Sequence, residues 1–185
     1  MLFRSSVKRL IFASSCSIYG NQDILPVKES AKINPLSPYA LHKSVGEMYC
    51  RLYSEIYNLE TVCLRYFNVY GERQSITGSY PLVIARFLDQ KKNNKPLTVV
   101  GDGKNTRDYV NVKDVARANI LAIESTLVGK GEGINIGSGR EYSVNDIANM
   151  VGGEITYIEP RIEPKNIRAD RSEEHTSELQ SPNTI

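Results

Sequence analysis

The period of apolar and polar positions changes several times along the chain, and each change marks an element. Val7-Lys-Arg-Leu-Ile-Phe-Ala-Ser14 is a short run rich in apolar residues that closes on small hydroxyl side chains, which predicts a buried strand. Gly20, Asn21, Pro26, Asn34, Pro35 and Pro38 then break up any regular element and predict a loop. From 39 to 57, Leu41, Val45, Met48, Leu52 and Ile56 recur at the spacing of one helical face. Pro38 stands at the start of that helix, where a missing N–H costs little. Residues 61–67 form the next strand-like run. A strand, a helix and a strand in that order imply a parallel crossover, hence an α/β, doubly wound sheet.

Beyond Gly71 the pieces are shorter. The pattern predicts a helix over 81–90 and a strand over 97–100, followed by a turn at Gly101-Asp-Gly103. Residues 107–112 alternate like a strand, and Asp114 opens a helix that runs to about Glu124. A small strand over 133–137, a helix capped by Ser143 and reaching Met150, and a last strand over 155–158 complete the reading.

Composition narrows the class without changing the elements. With 41% hydrophobic and 24% charged residues, the 185-residue chain is neither disordered nor collagen-like. No apolar run approaches the roughly 20 residues that span a bilayer, and no signal-peptide core is visible at the start. A net charge of +2, with scattered Lys and Arg, does not point to nucleic acid or to a charged membrane surface. Cys16, Cys50 and Cys63 have no paired spacing, which predicts free thiols and a reducing, cytoplasmic compartment.

The two ends have an unusual relation. Arg171-Ser-Glu-Glu-His-Thr would be encoded by AGATCGGAAGAGCACAC, and its reverse complement contains the frame GTG CTC TTC CGA TCT. With GTG as a start codon, that frame reads Met1-Leu-Phe-Arg-Ser5. One oligonucleotide, resembling a sequencing adapter, therefore accounts for both termini. The expectation is that residues 1–5 and a disordered tail over 171–185 are adapter-derived. Residues 6–170 would then be a piece of a longer protein, divided into a sheet-forming part (6–70) and a second lobe (71–170).

The strongest local chemistry is Tyr39-Ala-Leu-His-Lys43. On a helix, positions i and i+4 share a face about 5–6 Å apart at Cβ, so the phenol and the ammonium point the same way. A free phenol, with a pKa near 10, is a poor base at neutral pH, and a nearby ammonium stabilises its anion. The same spacing recurs in Tyr109-Val-Asn-Val-Lys113. There the Tyr lies on an alternating strand and the Lys opens the next helix, so that pair is not expected to share a face. His42 falls inside the first window and is expected to face solvent. Ser14, Ser15 and Ser17 stand at the end of the first strand, where doubly wound sheets place their ligands.

Ser14-Ser-Cys-Ser-Ile-Tyr-Gly20, Pro35-Leu-Ser-Pro-Tyr-Ala-Leu-His-Lys43 and Leu64-Arg-Tyr-Phe-Asn-Val-Tyr-Gly71, together with Gly101 to Asp114 and Asn135-Ile-Gly-Ser-Gly139, closely resemble the NAD-dependent epimerase/dehydratase family. This is the extended branch of the short-chain dehydrogenases, and the motifs are most similar to those of its UDP-sugar 4-epimerases. The resemblance implies a Rossmann-like parallel sheet with a small mixed α/β substrate lobe, NAD as cofactor, a UDP-sugar substrate and a homodimer. It implies Tyr39 as base, Lys43 as its partner at the nicotinamide ribose, and Ser15 as proton relay. Ser14 and Phe67 would line the cofactor, and Ser17, Asn68, Arg107 and Arg161 the nucleotide sugar. The family's glycine-rich cofactor turn should precede residue 7 and is not in these 185 residues, so weak NAD binding is expected of this chain. Sugar 4,6-dehydratases, the nearest rival, place an Asp–Glu pair where this chain has Cys16 and Ser17. A catalytically silent nucleotide-sugar binder is the other alternative.

Overall fold

A computed structural model describes residues 6–76, 82–160 and 166–170. The first layer is built by β1 (Arg9–Ser15), α1 (Pro38–Tyr57) and β2 (Glu60–Tyr66), followed by the short β3 (Asn68–Tyr70). Then come α2 (Val83–Lys92), β4 (Leu97–Val100), β5 (Thr106–Asn111), α3 (Val112–Glu124) and β6 (Lys130–Ile136). The described chain ends with β7 (Glu141–Ser143), α4 (Val144–Val151), β8 (Ile155–Ile158) and β9 (Asn166–Ile167).

β1, β2 and β6 form a parallel sheet in that spatial order, with helices on both faces. β2 is central, and alternation sends its side chains two ways. Val62 and Leu64 join Val110, Val115, Ala118, Ala122, Ile134 and Ile136 in the core under α3. On the other face, Thr61 Oγ1 donates to the Cys50 carbonyl of α1 at 2.8 Å, and Arg65 reaches Glu47. A second sheet is organised around β5, which pairs with β3 and β9 in parallel and with β7 in antiparallel. β4 and β8 form a parallel pair covered by α2 and α4 around Phe87, Leu97, Val99 and Ile147.

The expected parallel sheet is present, and several elements differ in detail. The division at residue 70 is crossed: β6 and α3 belong to the first sheet, because β2 needs a partner on its second edge. α3 starts at Val112, capped by the Asn111 side chain, which accepts from the Lys113 N–H at 2.9 Å; Asp114 lies in its first turn. β3, β7 and β9 were not legible in the sequence, being only two or three residues long.

The predicted helix forms, with Ser37 accepting from the Ala40 N–H, Pro38 in the first turn and Asn58 in the left-handed conformation at its end. Its orientation is the surprise. Leu41, Val45, Met48, Leu52 and Ile56, which define the apolar stripe, are all 38–63% exposed. The face against the sheet is Ala40, Ser44, Glu47 and Cys50. Two features draw that face inward. Gly46 lets the helix approach so closely that an added Cβ would lie 2.3 Å from the Phe12 ring. The buried Arg65 guanidinium needs a counter-charge, and Glu47 supplies it.

Candidate active site

The site grows from the carboxyl edge of the parallel sheet. Register pairs Ser15 with Tyr66 and Tyr66 with Ile136, so three strands finish at one level. Ser15 is the last residue of β1 and caps a single 3₁₀ turn, Cys16–Tyr19; its Oγ accepts from the Ser17 N–H at 3.2 Å. The Ser17 hydroxyl is buried there without a hydrogen-bond partner among the described residues.

Tyr39 and Lys43 occupy the first two turns of α1. The Lys43 ammonium lies 5.6 Å from the centroid of the Tyr39 ring and 5.3 Å from that of Phe12. It donates to the Ala13 carbonyl of β1 at 2.6 Å. Tyr39 is 56% exposed, open to a ligand at the sheet edge. The look-alike pair is split: Tyr109 is buried in the core, while Lys113 reaches out to Glu72. His42 is exposed.

Ser14 and Phe67 do not present their side chains at this edge. The Ser14 hydroxyl is buried and donates to Glu47 Oε1 at 2.5 Å, because alternation along β1 turns it away from the face that Ser15 takes. The Phe67 ring packs with Ile18, Tyr19, Val27 and Ile167, and its N–H is taken by the Ile136 carbonyl. Any cofactor contact at these two residues would have to come from the backbone.

Asn68 begins β3, and its Nδ2 donates to the Asp108 carbonyl at 3.2 Å. Arg107 lies on β5 with Nη1 donating to the Thr106 carbonyl. Its charge is felt at Cys16, whose thiol is pushed up to about 12, first by burial and then by Asp108, with Arg107 opposing. Ile167 and Ala169, which pack with Cys16 and Ile18, are respectively paired with Arg107 and bonded to Asp108, so both charges lie near the 3₁₀ turn, and Cys16 stays a neutral thiol. Arg161 lies outside the described residues. Cys50 and Cys63 are buried neighbours whose thiols are raised by burial.

Two buried groups were missed by sequence reasoning. Asp108, fully buried, accepts from Ser138 N–H and Oγ–H, Gly139 N–H and Ala169 N–H at 2.7–3.1 Å. Burial raises its carboxyl above the usual range, and those hydrogen bonds oppose the shift. A Cβ on Gly137 would lie 2.8 Å from Asp108 Oδ2, so only glycine lets the chain pass this close. The other group is Glu47 with Arg65, paired at 2.7 Å and both nearly buried. Burial would lower the Arg65 guanidinium, but bonds to Glu47 and Tyr19 outweigh it and hold the group protonated. Arg65 standing inside the strand-like run over 61–67 was the available signal, and nothing in the linear sequence says which residue meets it.

A profile of the NAD dependent epimerase/dehydratase family matches residues 1–137, well over half of the chain. The chain belongs to the NAD-dependent epimerase/dehydratase family. Among its relatives is a protein of Methanocaldococcus jannaschii, provisionally named a UDP-glucose 4-epimerase, 44% identical over 168 residues covering 87% of this chain and 53% of the relative. The UDP-N-acetylglucosamine 4-epimerase from Methanobrevibacter ruminantium M1, solved in complex with UDP-N-acetylmuramic acid, superposes with a TM-score of 0.85 at 34% identity, over 93% of this chain and 56% of that one. The UDP-glucuronic acid 4-epimerase from Bacillus cereus, in complex with UDP-glucuronic acid and NAD, gives 0.86 at 34% identity, over 98% and 59%. The chain thus spans about half the length of the relatives it matches. In this family setting the fold is the expected Rossmann-like α/β arrangement. No helix among the described residues is long and apolar enough to cross a membrane.

Proposed function

We propose that this chain carries the catalytic pair and much of the nucleotide-sugar lobe of a UDP-sugar 4-epimerase. The carrying observation is the Tyr39–Lys43 pair on one helix, with Lys43 bonded to the Ala13 carbonyl two residues before Ser15. Tyr39 would take the proton from the sugar 4-hydroxyl, with the Lys43 charge stabilising the phenolate. Ser15 would hold the same oxygen and pass the proton on. Arg107 suits the diphosphate, as a guanidinium fork matches phosphate oxygens. Arg161 is proposed for the same role. The buried, unpartnered Ser17 hydroxyl fits a hydroxyl-rich substrate, and Asn68 the uridine diphosphate. On this reading residues 6–70, joined by α3 and β6, are mainly cofactor domain, and the rest of residues 71–170 supplies the sugar lobe.

The residues present fit one end of NAD: Tyr39 and Lys43 would flank the nicotinamide ribose, with backbone at Ser14 and Phe67 nearby. When bound, NAD supplies reversible hydride transfer, which is why an epimerase needs no second substrate. No glycine-rich turn for its pyrophosphate precedes β1 within these 185 residues. Calorimetry on this chain is therefore expected to show UDP binding but no stoichiometric NAD binding. Arg107→Ala should weaken UDP by about tenfold or more, the value of one charge-assisted contact. Stoichiometric NAD binding, or UDP affinity indifferent to Arg107, would overturn the reading. In a longer form that includes the glycine-rich turn, UDP-glucose and UDP-galactose should interconvert without added reductant. Tyr39→Phe should slow that by about 10²–10⁴-fold, the scale of a lost acid–base group.

Dehydration is disfavoured, since neither Cys16, a neutral thiol, nor Ser17 can act as a carboxylic acid. The exposed stripe of Leu41, Val45, Met48, Leu52 and Ile56 supports a homodimer through α1. Met48→Glu with Leu52→Glu should then give monomers in sedimentation equilibrium under conditions where the parent dimerises; a parent that stays monomeric at high concentration removes the idea. The free cysteines support a reducing, cytoplasmic setting.

A further inference from the structure

We propose that the buried Glu47–Arg65 pair is a positioning unit that holds Tyr39 and Lys43 in register with Ser15; this rests on the assignment of those three residues to the chemistry. Tyr39, Lys43 and Glu47 lie at successive i+4 positions on α1, with Glu47 buried against the sheet and Lys43 reaching the Ala13 carbonyl of β1. In most amphipathic helices the apolar stripe sets the rotation, but here that stripe faces outward. Ala40, Ser44 and Cys50 are small and make a smooth surface, and contact between Gly46 and Phe12 sets the height of the helix above the sheet without fixing its slide.

The Glu47 carboxylate fixes what those contacts leave open. From β2, Arg65 donates Nε to Oε1 at 3.0 Å and Nη2 to Oε2 at 2.7 Å, a planar fork that tolerates little displacement. From β1, Ser14 donates to Oε1 at 2.5 Å. Ser14 is flanked by Ala13, whose carbonyl takes the Lys43 ammonium, and by Ser15 itself. A closed circuit runs from Lys43 through Ala13, Ser14 and Glu47 and one helical turn back to Lys43. Arg65 is in turn held by the Tyr19 hydroxyl and the Glu29 carbonyl, both at 2.8 Å, and the Tyr19 hydroxyl donates to Asn135. Buried pairs contribute little net stability, because desolvation offsets attraction, and a fixed arrangement is the benefit left to them.

The test separates stability from position. Glu47→Leu with Arg65→Met replaces the pair with apolar side chains of similar bulk, and is expected to keep the parent's denaturation midpoint approximately. Lysine acylation by N-hydroxysuccinimidyl acetate, read residue by residue by mass spectrometry, then reports the tether of Lys43 to Ala13. The Lys43 rate is expected to rise by about tenfold or more, the scale of one charge-assisted hydrogen bond. The rate at Lys104, exposed on the other lobe, should not change. An unchanged Lys43 rate in the folded double variant overturns the proposal. Glu47→Asp, which keeps the charge and withdraws the carboxylate by one methylene, is the second variant. It should raise the Lys43 rate while the protein stays folded, and an unchanged rate there overturns the proposal even where the double variant does not fold. No NAD or UDP-sugar is involved, so a failed epimerase assay leaves this outcome standing, and the reverse also holds.

Discussion

Arg65→Leu is expected to cost about 3–5 kcal/mol of folding free energy, the penalty for stranding one member of a buried ion pair. The Glu47 side chain is only 9% exposed, and Arg65 satisfies both of its oxygens. Without the guanidinium, the carboxylate keeps the Ser14 hydroxyl alone among the described residues, and the Glu29 carbonyl loses a donor. Glu47→Leu should cost a similar amount, because it leaves a guanidinium at the centre of the α1–sheet interface. The two single losses should not add in the double variant, since each counts the same stranded charge. Urea denaturation of the two singles and the double forms the cycle that measures this. A loss below about 1 kcal/mol for Arg65→Leu would mean that water reaches the carboxylate and the pair behaves as a surface one.

Asp108→Ala is expected to cost about 3 kcal/mol or more, since three backbone N–H groups lose their acceptor and each buried orphan costs about 1–3 kcal/mol, while the Ser138 hydroxyl keeps the Arg140 carbonyl. Those donors come from two places far apart in the chain, Ser138–Gly139 beyond β6 and Ala169 beyond β9. The carboxylate thus reinforces the β5–β9 pairing that ties the last described segment to β5. Val27 also holds that segment, through its N–H to the Arg168 carbonyl and its carbonyl from the Asp170 N–H. Local loss should therefore precede global unfolding. Hydrogen exchange at the Ala169 and Gly139 amides is expected to accelerate in Asp108→Ala well before the amides of β2 do. Equal acceleration everywhere would show that Asp108 is part of the general core and not a local clasp.

Both predictions concern residues that the sequence did not single out. Arg65 and Glu47 are 18 positions apart, and Asp108 and Ala169 are 61 apart. Which charge is buried depends on which faces meet, and a linear pattern carries no such information. Contacts within one helical turn are different. Tyr39 and Lys43 share a face because of the geometry of any α-helix, so their juxtaposition was legible once the helix was recognised. The rejected pair, Tyr109 and Lys113, was legible for the same reason, as one lies on a strand and the other on a helix.

The direction in which α1 faces was not legible. Its apolar period correctly predicted a helix, and the ordinary inference would bury Leu41, Val45 and Met48. The structure buries Ala40, Ser44, Glu47 and Cys50 instead, because a glycine over Phe12 and a carboxylate for Arg65 make that the closer-fitting face. Ser14 shows the same limit on a smaller scale: grouped with Ser15 and Ser17 by sequence, it is turned inward by strand alternation and bonded to Glu47. The sequence by itself determined the order of the longer strands and helices, the parallel sheet and the Tyr39–Lys43 pair, since each follows from periodicity or from spacing within one turn. Only the tertiary structure decided which face of the helix meets the sheet, which charges are buried together and which serine faces the site. Those outcomes depend on long-range packing, where desolvation and close approach outweigh the local pattern.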